Sequence, residues 1–158
     1  MKKGIVNVLS GLAGAAIGAA GMGKMMGEKV VEAQRMSDKH LALFLMMNQW
    51  VKVKQEGKNL AAYFEQNGYH EIAIYGLSYA GETLVNELDG SSVVIKYGID
   101  QKVHDIYGEF AVVSPDDPLE MVDAIVVTAI KSFDEIEENL RKKVNCPILS
   151  LEDILYIV

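Results

Sequence analysis

Six consecutive residues, Gly76-Leu77-Ser78-Tyr79-Ala80-Gly81, have the types and spacing to do chemistry. They follow a short apolar run ending at Tyr75 and open directly into a helix-like segment. A strand that breaks at a glycine and re-enters as a helix leaves the first helical N–H groups without partners. The positive end of the helix dipole then favours an anion such as phosphate at that point. The run reads G-x-S-x-x-G, one substitution from the dinucleotide-binding pattern. Gly76 suits the tight turn and Gly81 suits close packing of helix on strand, while Ser78 stands where a second glycine would let backbone approach a pyrophosphate. The serine can instead cap the helix or donate its hydroxyl to a phosphate. Asp100 lies about 20 residues beyond Gly81, just past the second expected strand, where an acid commonly bonds a ribose 2′-hydroxyl. The same residue suits a solvated turn beside Gly98, and the sequence leaves both roles open. NAD(P) or a nucleotide sugar is the ligand class such a set would take.

These residues must be held by a sheet. From Ile72 onward, strand-like and helix-like runs alternate, the pattern of an α/β domain with parallel strands and crossover helices. Strands are expected at Ile72–Tyr75, Val93–Tyr97, Phe110–Val113, Ala124–Thr128 and Pro147–Leu149. Helices are expected at Ala80–Leu88, Pro118–Val122 and Phe133–Val144, with a short turn after Ser150. Ser132 with Glu135, and Ser150 with Asp153, have capping-box spacing. Right-handed crossovers make a Rossmann-like sheet of about five strands in the order 3-2-1-4-5 the first choice.

Upstream lies a mount for that sheet. Residues 1–27 form a glycine-rich leader, uncharged from Gly4 to Gly23, with small residues at Gly11, Ala15, Ala19, Gly23 and Gly27. Residues 4–23 are just long enough for a hydrocarbon core of roughly 30 Å and present one flat face for helix packing. A membrane partner is therefore expected there. Lys24, Lys29, Arg35 and Lys39 outnumber Lys2 and Lys3, which places the following domain on the cytoplasmic side, at the inner face of the cell membrane. Residues 28–57 read as an amphipathic helical stalk with Leu41, Phe44, Leu45 and Trp50 on its stripe, a route to a homo-oligomer. Residues 58–158 form the nucleotide-binding domain, with Asn59 capping a short helix that ends before Asn67-Gly68.

Composition excludes several classes of function. The net charge of −7, from 22 acidic and 15 basic residues, argues against nucleic acid, which needs a clustered basic face. One cysteine, Cys146, cannot form an internal disulfide and is expected as a buried thiol at the start of the last strand. His40, His70 and His104 lack metal-ligand spacing, and Asp116, Asp117, Glu120 and Asp123 read as a charged loop and helix start rather than a metal clamp. No catalytic set is present: none of the seven tyrosines is followed by lysine in a Tyr-x-x-x-Lys pair.

The stretch from Leu43 through Tyr75-Gly76, together with Tyr97-Gly98-Ile99-Asp100 and the run Val122 to Ala129, resembles a family of small bacterial Rossmann-like domains. These occur free or fused to glycosyltransferases and nucleotide-sugar enzymes of surface-polysaccharide synthesis. The resemblance covers roughly Leu41–Val158 and implies a nucleotide- or nucleotide-sugar-binding accessory domain. Family members usually read Y-G-M-G where this chain reads Y-G-L-S, so Ser78 is the departure. A non-catalytic membrane-associated scaffold with a degenerate site is the alternative that this departure implies.

Overall fold

The computed structural model describes the backbone of residues 2–102 and 110–158 and the side chains of residues 26–102 and 110–158. His104 and the side chains of the leader, with the membrane expectation for residues 4–23, lie outside the described residues. Among the described residues no helix is long and apolar enough to cross a membrane.

Helix α1, Lys2–Gln55, is unbroken. The chain divides into two compact units, Met1–Leu41 and Ala42–Val158, so the end of α1 belongs with the sheet. In the first unit Val30, Val31 and Met36 are exposed, and local pairs such as Arg35 with Glu32 at 3.6 Å decorate the helix.

The second unit is built on a five-stranded, all-parallel sheet in the order β3-β2-β1-β4-β5. Its strands are β1 Glu71–Tyr75, β2 Val94–Ile99, β3 Ala111–Val113, β4 Ala124–Val127 and β5 Ile148–Ser150. Its helices are α2 Leu60–Gln66, α3 Tyr79–Leu88, α4 Phe133–Leu140 and α5 Leu151–Ile157. The fold expected from the alternating runs is the one observed.

Both faces of a parallel sheet must be covered, and here side-chain alternation along β1 serves two cores. Ile72 and Ile74 face a layer in which Met46, Trp50 and Val53 of α1 meet Leu60 and Phe64 of α2, Leu84 and Leu88 of α3, and Leu151, Ile154 and Leu155 of α5. Ala73 faces the other layer, where Tyr97, Ile99, Ile125, Val127 and Leu140 are buried and Leu119, Phe133 and Ile136 pack against them. Phe64 is fully buried with its ring edge-on to Tyr63 at 5.5 Å, and Tyr63, partly buried, packs against the same core.

Three expectations need correction. Residues Pro118–Val122 are not helical. Ser114 and Asp117 close a tight turn, with Ser114 N–H donating to Asp117 Oδ2 at 2.9 Å and Asp117 N–H to Ser114 O at 3.1 Å. Beyond it, the carbonyls a helix would have used accept side chains instead: Tyr97 Oη donates to Glu120 O at 2.7 Å and Lys96 Nζ to Met121 O at 3.1 Å. Leu119 and Val122 pack inward while Met121 points to solvent, an arrangement that suits irregular, largely extended chain. Second, Ser132 makes no side-chain cap on α4, whereas Ser150 does cap α5. Third, Cys146 is only half-buried, although burial still pushes its thiol pKa up.

Candidate functional site

The order 3-2-1-4-5 reverses direction between β1 and β4, and ligands of open parallel sheets bind outside the carboxyl ends of the strands at such a switch point. Gly76 follows β1 there. Its φ of +91° lies in the left-handed region, its N–H donates to Ile99 O at 2.9 Å, and its carbonyl accepts Thr128 Oγ1 at 2.7 Å. A Cβ at Gly76 would sit 2.8 Å from that hydroxyl oxygen. One at Gly81 would strike the Gly76 carbonyl oxygen itself, so both glycines are required by the turn, one for conformation and one for approach.

Leu77 turns inward and is buried, its methyl lying where a Cβ on Gly98 would come within 2.7 Å. Ser78 is the N-cap of α3 with an extended backbone at φ −79°, a conformation open to any residue, so the fold itself does not demand a glycine there. Its hydroxyl makes no cap bond and is exposed. Tyr79 is 74% exposed beside it, and Ala80 is buried against the core.

The N–H groups of Ser78, Tyr79, Ala80 and Gly81 have no acceptor among the described residues, whereas Leu77 N–H donates to Asp100 Oδ2 at 2.9 Å. Asp100 Oδ1 accepts Lys102 N–H at 3.0 Å. The structure thus brings together all seven residues picked from the sequence, and the Asp100 carboxylate serves two turns at once, its own through Lys102 N–H and the glycine turn through Leu77 N–H. It also sets the sign of the local field. Tyr75, at the end of β1, has its hydroxyl pKa raised first by burial and then by the carboxylates of Asp100, Asp116 and Glu135. A rim of acids suits ligand hydroxyls and amines, and leaves the α3 N–H groups as the place for negative charge.

Two positioning residues escaped the sequence reading. Thr128, a polar residue 6% exposed, ties the turn to the end of β4 by donating to Gly76 O and, at 3.2 Å, to Tyr75 O. A threonine ending an all-apolar strand beside the switch point was the available signal. Gly98 makes room for Leu77, and nothing in the sequence marked it beyond its place before Asp100.

At the far end of α3, Glu87 has its side chain only 6% exposed. Its carboxylate accepts Trp50 Nε1 at 3.2 Å, Lys54 Nζ at 2.9 Å and Leu60 N–H at 3.1 Å, fixing α1, α2 and α3 to one another. At the amino end of the strands, Asp123 accepts His70 N–H at 2.8 Å and Glu71 N–H at 2.7 Å, bonds that hold its pKa below the usual carboxylate value. Asp123 is therefore a clamp on the start of β1. Among the described residues no three His, Cys, Asp or Glu side chains converge as a metal ion would need.

The chain matches no family model, no curated protein and no solved structure.

Proposed function

We propose that the Ala42–Val158 unit binds a nucleotide or nucleotide sugar, phosphate against the open N-terminus of α3 and ribose hydroxyls at Asp100. The observation that carries this reading is the set of four unpartnered N–H groups at the switch point, next to a carboxylate that can accept from a diol. Gly76 and Gly81 support it, since both are kept at positions where any side chain would close the turn. The link to surface-polysaccharide synthesis and the seat at the inner membrane face rest on the resemblance and on the leader's composition. In this reading the domain presents or senses a ligand for other proteins, and no reaction is assigned to it.

The experiment is a melting-temperature panel on the full chain with NAD, NADP, UDP-sugars and coenzyme A. A ligand at about 100 times its Kd stabilises the folded state by about 2.7 kcal/mol, a shift of several degrees. Asp100→Ala should selectively weaken ribose-bearing ligands. If well-folded protein melts unchanged with every compound, the binding reading falls. The Asp100 bond to Leu77 N–H would then be a permanent seal on a degenerate site, and the scaffold reading takes its place.

A further inference from the structure

We propose that Thr128 and Asp100 act as one clamp on the peptide plane between Gly76 and Leu77, and that Thr128 is thereby a positioning residue for the open N-terminus of α3. A planar trans peptide carries its C=O and N–H on opposite edges. Here each edge is gripped by a side chain. Gly76 O accepts Thr128 Oγ1 at 2.7 Å, and Leu77 N–H donates to Asp100 Oδ2 at 2.9 Å. Thr128 follows β4 and Asp100 follows β2, the two strands that flank β1.

The clamp holds this plane against the sense of the strand. Successive peptides of an extended chain alternate, so neighbouring carbonyls point to opposite partners. Tyr75 and Gly76 break that alternation. Both carbonyls meet Thr128, whose N–H donates to Tyr75 O at 3.0 Å and whose hydroxyl serves Gly76 O. Both following N–H groups meet the end of β2, Gly76 N–H donating to Ile99 O at 2.9 Å and Leu77 N–H to Asp100. The φ of +91° at Gly76 makes the reversal. Turned back, the plane would set Gly76 O against the Asp100 carboxylate, two acceptors with no proton between them. Because both grips act on one rigid plane, losing either frees the other edge, so their effects on stability are not additive. The same plane sets how β1 enters α3, since Gly76 O lies where a Cβ on Gly81 would be. The clamp itself needs no ligand, while its bearing on binding rests on the nucleotide reading.

The test is amide hydrogen exchange on the full chain without ligand. Thr128→Val keeps the shape of the side chain and deletes the hydroxyl. It should speed exchange at Leu77 N–H, whose own acceptor is Asp100, at least about tenfold relative to Ile125 N–H, which donates to Pro147 O and reports opening of the sheet. Thr128→Ser restores a hydroxyl and should return Leu77 to wild-type exchange. Thr128→Ala takes the place of the valine variant if that one does not fold. In urea, the double variant Thr128→Val, Asp100→Ala should have a midpoint no lower than that of the less stable single variant. Equal acceleration at Leu77 and Ile125, or a serine variant that behaves as the valine one, overturns the clamp. Additive losses of stability overturn the shared plane. These results stand whether or not any compound in the ligand panel binds. Where one does, Thr128→Val should lose the melting shift and Thr128→Ser keep it, and a shift that survives Thr128→Val overturns the positioning role.

Discussion

Ser78 and Ser150 occupy the same position at the carboxyl end of the sheet, each the N-cap of the helix that follows a strand, and they behave oppositely. Ser150 turns its hydroxyl onto Asp153 N–H at 3.3 Å and closes the N-terminus of α5. Ser78 makes no such bond, and α3 stays open. The difference lies upstream. β5 runs into α5 without an intervening residue, whereas β1 first passes through Gly76, whose left-handed turn sends Leu77 into the core and is clasped by Asp100 and Thr128. One serine completes a helix, and the other sits on a turn that the rest of the unit holds open.

Breaking the turn gives the largest effect. Gly76→Val combines a disfavoured φ with a clash against Thr128 and should cost about 3 kcal/mol or more, read as a lower urea midpoint, with any ligand-induced shift lost. The serines themselves should separate next. Ser150→Ala removes a cap and should cost about 1 kcal/mol, while Ser78→Ala should change stability by less than about 0.5 kcal/mol because no cap bond is lost. Equal losses at the two positions would show that the comparison is wrong.

The smallest effects come from pH. The lowered pKa of Asp123 means the folded state holds its proton less tightly than the unfolded chain. Its contribution is present above the ordinary carboxylate value and fades as pH falls through the lowered one, so Asp123→Asn should flatten the acid limb of the unfolding profile. Tyr97 is the alkaline counterpart: burial first, then Cys146 and Glu120, push its hydroxyl up to about 12. Stability should fall as pH rises from the ordinary tyrosine value, about 10, towards that figure. A phenolate absorbance titration of wild type against Tyr97→Phe should isolate one late-titrating group.

The sequence carried the central part of this site because its signals are local. An apolar run, a glycine and a helix start within eleven residues specify β1, the turn and α3, and the alternation of runs specifies the strand order. Asp100 was legible by spacing, but its bond to Leu77 N–H joins two strands' ends and has no sequence period. The contacts of Thr128 and Gly98 have no sequence period for the same reason: each is made with a neighbour more than twenty residues away. The helix expected at Pro118–Val122 failed because two prolines and an Asp-closed turn outweighed a short acidic, apolar stretch, and the carbonyls found partners on β2.

The core layer that joins Met46, Trp50 and Val53 to Leu151, Ile154 and Leu155, reinforced by Gln49 Nε2 donating to Leu155 O at 3.0 Å, has a consequence in time. During synthesis, α1, α2 and β1 emerge before β5 and α5, so the surface they bury is completed only by residues made later. Until α5 leaves the ribosome, Trp50 and Phe64 have only part of their cover, and β4 lacks its outer neighbour. The unit therefore closes as a clasp does, an earlier segment and a later one meeting in the same layer.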